Sequence, residues 1–65
     1  MIKELLKKLL DNGSVEVELK DGNRAKVFEV NYKKIDAPNL EFFCKIITDA
    51  GEKFKVPLTE VAQVL

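Results

Sequence analysis

The sequence predicts a mainly β fold with an N-terminal α-helix: a small five-stranded antiparallel barrel with a bent second strand and a one-turn helix before the last strand. Residues 2–11 repeat apolar side chains with the period of a helix, and later segments alternate apolar and polar residues with the period of a strand. Turn-forming residues separate these segments. A chain of 65 residues has room for one core, so we expect a single domain over residues 1–65.

The helix is predicted over residues 2–11 from the spacing i, i+3, i+4, i+7 and i+8, which places apolar side chains in one stripe. These side chains are Ile2, Leu5, Leu6, Leu9 and Leu10. Asn12 and Gly13 then provide a left-handed stop. A helix this short is not stable alone, so the stripe is expected to pack against the strands.

Five strands are predicted at about residues 14–20, 24–34, 40–48, 53–57 and 62–65. Asp21-Gly22 is a hairpin signal, and residues 36–39 and 49–52 have the composition of turns. Pro57 ends the fourth strand or confines it to a sheet edge. Residues 57–61 then have the pattern of a single helical turn.

The second strand contains a change of phase. Its apolar residues are first Ala25 and Val27, and then Phe28, Val30 and Tyr32. Because side chains alternate strictly between the two faces of a strand, this one-residue shift requires a bulge or a sharp bend. We therefore expect the strand to bend near residues 27–28, as strands do at the corners of small barrels.

The composition argues against several classes of function. Eleven basic and eleven acidic side chains give zero net charge, and Arg24 is the only arginine, which disfavours nucleic acid as a partner. The chain has no histidine, so we expect no enzymatic activity, no metal and no cofactor. No apolar segment is long enough to span a membrane. A single cysteine, Cys44, cannot form an intrachain disulfide, which favours the reducing cytoplasm.

Three segments carry a resemblance to a known group of folds: VEVELKDG (residues 15–22), AKVFEVN (residues 25–31) and GEKFKVPLTEVAQVL (residues 51–65). After a leucine-rich helix, they resemble the opening strand and turn, the bent second strand and the closing strands of Sm-like proteins and, more broadly, of SH3-like barrels. The resemblance implies that fold and assembly through strand edges. It transfers no RNA-binding residue, because residues 30–39 lack the uridine-contacting Asp-x-x-Met-Asn loop and Val56-Pro57 replaces the Arg-Gly pair.

The outward face of the third strand carries the candidate interface. Phe43 and Ile47 are apolar where polar side chains are expected, and Lys45 lies between them. If the second, third and fourth strands are antiparallel neighbours, three further lysines border this patch: Lys26, Lys53 and Lys55. An apolar patch with a charged rim is typical of a protein–protein interface.

Three other interpretations of this face stay open. The N-terminal helix covers it, a bulge turns Phe43 inward, or Phe43 stacks on nucleic-acid bases between the lysines. The last strand is a second candidate for an interface. Val64 and Leu65 give it an apolar edge, which favours strand pairing between subunits.

We therefore expect a non-enzymatic protein–protein interaction or assembly module that binds itself or another protein. Its size is typical of a small accessory or regulatory protein of a bacterium or phage. One alternative is an RNA- or DNA-binding barrel that uses Lys26, Phe43, Lys45, Lys53 and Lys55. The other is a designed barrel without a natural function, which fits the Asp-Gly turn and the surface rich in lysine and glutamate but not the change of phase.

Overall fold

The computed structural model describes residues 1–36 and 39–65 and contains one helix and five strands. The elements are α1 (Ile2–Asn12), β1 (Val15–Leu19), β2 (Arg24–Asp36), β3 (Asn39–Thr48), β4 (Lys53–Pro57), the 3-10 turn η1 (Leu58–Glu60) and β5 (Val61–Val64). Their bounds differ from the predicted ones by at most two residues. The turn predicted at residues 36–39 includes residues 37 and 38, which lie outside the described residues.

The strands form one antiparallel sheet in the order β4-β3-β2-β1-β5. A mainly β fold with five antiparallel strands and an N-terminal helix is therefore confirmed. Within residues 1–36 and 39–65, β4 pairs with β3 and β5 pairs with β1, but β4 and β5 do not pair with each other. The sheet is thus open, with β4 and β5 as its two edges.

The hydrophobic core lies on one face of the sheet, which we call the inner face. Val17, Val27 and Cys44 are fully buried there, because alternate residues of β1, β2 and β3 point to the same side. The other buried core residues are Leu5, Val15, Ala25, Ile46 and Val61. These few side chains bury a small apolar area, so each of them carries a large share of the stability.

Helix α1 packs on this inner face against β1 and β2. Leu5 is fully buried in the core, and Ile2 and Leu9 pack against it. Leu6 and Leu10 are 43% and 89% exposed, so the expected apolar stripe of five side chains is too wide. A helix laid on a narrow sheet buries the side chains along one line of contact, and the residues beside that line face solvent.

Gly13 ends the helix in the way that the sequence predicts. Its φ of 79° lies in the left-handed region, and its N–H donates a hydrogen bond to the carbonyl oxygen of Leu9 at 2.8 Å. Residues with a Cβ rarely adopt this conformation. Glycine at this position therefore allows the chain to reverse from α1 into β1.

The bend in β2 is a bulge at the predicted place. The register with β3 shifts between Val27 and Glu29, which leaves Phe28 as the extra residue. The sequence groups Phe28 with Val30 and Tyr32 in one apolar set, which is wrong for Phe28 because its ring lies beside Lys53 on the outer side of the sheet. The inner set resumes at Val30, which pairs with Cys44 of β3.

Burial raises the pKa of the Cys44 thiol above its ordinary value. In the unfolded chain the thiol loses its proton near pH 8.5, whereas the native thiol keeps it. The unfolded state then binds fewer protons than the native state, so rising pH favours unfolding in this range.

We predict that replacing Leu5 by alanine destabilises the protein strongly. The loss of a fully buried leucine side chain costs about 2–5 kcal/mol, whereas Leu10→Ala on the same helix changes the free energy of unfolding by less than about 0.5 kcal/mol. Urea denaturation followed by circular dichroism measures both effects. Equal losses in the two variants would contradict this packing of α1.

We also predict that the free energy of unfolding decreases as the pH rises from about 8 to about 9.5, because the raised pKa of Cys44 keeps the native thiol protonated. Urea titrations at several pH values measure the slope. Cys44→Ala is the control: it is less stable at every pH, but its stability should vary less with pH. Identical slopes in both proteins would overturn the prediction.

Candidate functional site

The outer face of β2, β3 and β4 brings six predicted interface residues together. Three rungs cross these strands: Lys26–Ile47–Lys53, Glu29–Lys45–Lys55 and Asn31–Phe43–Pro57. Phe43 and Ile47 alternate with the core residues of β3, so they point away from the inner face and from α1. The two interpretations in which α1 covers this face or a bulge turns Phe43 inward are therefore wrong. We call this surface the lysine–aromatic face, formed by Lys26, Phe28, Phe43, Lys45, Ile47, Lys53 and Lys55.

One carboxylate on this face neutralises one of its lysines. Lys45 Nζ lies 2.9 Å from Glu29 Oε2, and Asn31 Nδ2 donates a hydrogen bond to the same oxygen at 2.7 Å. The hydrogen bond from Asn31, followed by the hydrogen bond and the charge of Lys45, lowers the pKa of Glu29. The carboxylate is therefore ionised at neutral pH, and Lys45 is already paired.

Two other lysines lie over aromatic rings. Lys55 Nζ is 4.9 Å from the ring centre of Phe43, and Lys53 Nζ is 5.7 Å from the ring centre of Phe28. Both distances allow cation–π attraction, and the lysine stems cover apolar surface. Among the described residues, Lys53 and Lys55 form no ion pair. Lys26 also forms no ion pair with a described residue, so this face combines half-buried apolar groups with three lysines that have no acidic partner there.

The remaining two predicted interface residues lie elsewhere. Val64 packs against the core and is half-buried, and Leu65 is 40% exposed. Both are at the β5 edge, which is separated from β4 by the three central strands. The structure therefore does not bring Val64 and Leu65 to the lysine–aromatic face.

A second apolar surface lies where β2 and β3 extend beyond the rest of the sheet. β1 pairs with β2 only between Arg24 and Val27, whereas β2 continues to Asp36. Beyond this point the inner face of the long hairpin carries Tyr32 and Leu40, which are 64% and 45% exposed. Lys34, which pairs with Leu40, lies on the same face. We call the apolar inner-face side chains of this projecting end the hairpin overhang, formed by Tyr32, Leu40 and Phe42.

The hairpin overhang borders a groove with a volume of about 520 Å³. The ring centres of Tyr32 and Phe42 are 6.4 Å apart, and the angle between the ring planes is 56°. The two rings therefore form a tilted aromatic pair between β2 and β3. The apolar groove lining includes Met1, Leu40, Phe42, Pro57, Leu58 and Val61. Met1 is itself 53% exposed, which extends the apolar surface onto the start of α1.

The sequence alone does not distinguish the hairpin overhang from the buried core. Alternation places Leu40 and Phe42 on the inward side of the third strand, and it predicts that Tyr32 is partly buried with its hydroxyl group at the surface. The feature of the sequence that indicates this exposed surface is the length of the second strand, which is predicted to be longer than the neighbouring strands. A long strand beside short ones leaves part of its inner face without a covering element.

Two further properties concern the described residues alone. They contain no group of three or more histidine, cysteine, aspartate or glutamate side chains that could hold a metal ion. The one helix among them, α1, is too short and too polar to cross a membrane.

We predict a measurable coupling between Phe43 and Lys55. A double-mutant cycle with Phe43→Leu and Lys55→Met should give about 0.5–1 kcal/mol of favourable interaction, because the ammonium group lies over the ring at a solvent-exposed position. Urea denaturation of the four proteins measures this energy. A coupling indistinguishable from zero would show that the contact contributes nothing to stability.

Comparison with known proteins does not assign the chain to a family: no protein-family model matches it, and neither a curated protein nor a solved structure matches it significantly.

Proposed function

We propose that this protein is a non-enzymatic protein-interaction module that self-associates, with a second copy of the chain bound at the hairpin overhang. The observation that carries the proposal is the exposure of Tyr32 and Leu40 beside an apolar groove. Contiguous apolar surface of this kind is typical of interaction sites, whereas single exposed apolar residues are common everywhere.

The total exposed area supports an additional contact. A folded monomer of 7.4 kDa is expected to expose about 4,200 Å², and this chain exposes 4696 Å². The excess is about 500 Å², and each partner in a typical stable interface buries about 800 Å². The projecting hairpin is consistent with this excess, because the molecule measures 37 × 24 × 17 Å.

The shape of the surface favours a second copy as the occupant. The hairpin overhang projects from the sheet, and the adjoining groove beside η1 is concave. Because one chain carries both features, two copies can each insert a hairpin into the groove of the other. In a two-fold arrangement each hairpin lies in the groove of the other copy, so the same patch serves both partners. Such pairing would also offset the low stability of a small core.

We further propose that the open sheet is an incompletely closed barrel of the SH3-like or Sm-like type. Two features support it: the bulge that bends β2, and the short turn η1 that leads from one edge strand, β4, to the other, β5. Contacts between η1 and β3 hold this turn against the sheet.

We predict that Leu40→Lys produces a monomer, because it places a charge in the proposed apolar contact. Light scattering on a sizing column, over about a tenfold range of concentration, should give a dimer for the original protein and half that mass for the variant.

The matched control is Leu10→Lys, which changes an exposed leucine of α1 outside the groove and should leave the mass unchanged. A monomeric original protein at every concentration would refute self-association. Loss of the dimer in Leu10→Lys alone would move the contact to the helix.

A further inference from the structure

The outer edge of β4 is a second place where this sheet can accept another chain. β4 pairs with β3 from Lys53 to Pro57, and within the described residues its other side has no strand partner. An unpaired edge presents backbone N–H and C=O groups that can extend a sheet by one strand. Pro57 lacks an N–H, and alternate residues of β4 direct their backbone groups towards β3, so residues 53–56 offer the free N–H and C=O groups of two residues.

The two faces of this edge differ sharply in chemistry. On the outer face, Lys53 and Lys55 form no ion pair with any described residue. They line a groove of about 370 Å³ together with Phe28, Lys45 and Phe54, and Phe54 also borders the groove on the inner face. Each of the two ammonium groups is held near an aromatic ring rather than near a carboxylate. This side of the edge is therefore suited to acidic side chains.

On the inner face, the same edge is apolar. Phe54 pairs with Ile46 and is 48% exposed, although Ile46 itself belongs to the core. Both line a groove of about 510 Å³, and its apolar lining also includes Leu19 and Val56. The same groove is bordered by charged side chains, which are Asp21, Arg24, Asp49, Glu52 and Lys55. An apolar side chain from an added strand would cover Phe54, the largest exposed side chain of β4.

Because successive residues of a strand point to opposite faces, an added strand would direct alternate side chains into these two grooves. Its acidic residues would face Lys53 and Lys55, and its apolar residues would face Phe54 and Val56. The lysines also oppose pairing with a second copy of β4, because like charges would then lie side by side.

We propose that the outer edge of β4 binds, by strand addition, an extended segment of a partner protein in which acidic and apolar residues alternate. This site uses residues 53–56 of β4, whereas the proposed self-association groove is lined by Pro57 and Leu58 but by none of those four residues, so either proposal can fail without the other. The chain contains the same pattern in β1, Val15–Leu19, but both edges of β1 are already paired with β2 and β5.

Fluorescence anisotropy with labelled synthetic peptides tests the proposal. A peptide of about seven residues that alternates Glu and Val should bind, and the corresponding Lys–Val peptide should not. Binding should weaken between about 0.05 M and about 0.5 M NaCl, because exposed charges are screened by salt. The same Glu–Val peptide with N-methyl groups on alternate residues keeps its charge but loses backbone donors, so it should bind more weakly.

Charge reversal provides the matched variants. Lys53→Glu combined with Lys55→Glu should weaken binding of the Glu–Val peptide by about tenfold or more and should create binding of the Lys–Val peptide. The control, Lys3→Glu combined with Lys7→Glu on α1, has the same net charge and should bind like the original protein. Leu40→Lys should also bind the peptide normally.

Three outcomes would overturn the proposal. If the N-methylated peptide bound as tightly as the unmodified Glu–Val peptide, the peptide would not be bound as an added strand. If the double charge-reversal variant bound the Glu–Val peptide as tightly as the original protein, the binding site would not be the outer edge of β4. Tighter binding of a single-stranded oligonucleotide, abolished by the same two substitutions, would assign the lysine–aromatic face to nucleic acid. The peptide comparisons use the original protein, so they stand even if a charge-reversal variant fails to fold.

Discussion

Burial on a single face of one narrow sheet is the constraint on which this structure depends. The core is built from alternate residues of β1, β2, β3 and β5 and from one fully buried helical side chain, Leu5. Because α1 has only eleven residues, it packs over part of the inner face, against β1 and β2. The projecting end of the β2–β3 hairpin therefore keeps apolar side chains in contact with water, as the exposure of Tyr32 and Leu40 shows. The stable core and the exposed surface are two results of the same geometry.

The outer face shows that zero net charge does not mean an even distribution of charge. On β1, the Oε1 atom of Glu16 lies 3.6 Å from the Nη1 atom of Arg24, and the Glu18 carboxylate accepts a hydrogen bond from the side-chain amide of Gln63. Across the sheet, Lys53 and Lys55 lie over aromatic rings instead of beside acidic groups. Within the sheet, β1 thus carries acidic but no basic side chains, and β4 carries basic but no acidic ones. A partner that approaches β4 encounters a locally positive surface on a chain that is neutral as a whole.

The two edge strands of the sheet, β4 and β5, differ in charge and in length. β4 carries two lysines and ends at Pro57, which are features that restrict edge pairing to suitable partners. β5 consists of Val61–Val64 and carries no charged side chain, but it is only four residues long. Edge chemistry, rather than the total number of exposed backbone groups, therefore determines which chain can extend this sheet.

The sequence by itself determined the order of the elements, the left-handed stop at Gly13 and the bulge at Phe28, because each follows from local conformational preference or from strict alternation. Alternation also placed Phe43 opposite the core. It did not determine the direction of Phe28, since the extra residue of a bulge belongs to neither alternating set. Only the tertiary structure decided which inner-face residues are covered. Coverage depends on where a short helix lies relative to strands of unequal length. The local sequence around Tyr32 and Leu40 does not show how far these residues lie from the helix.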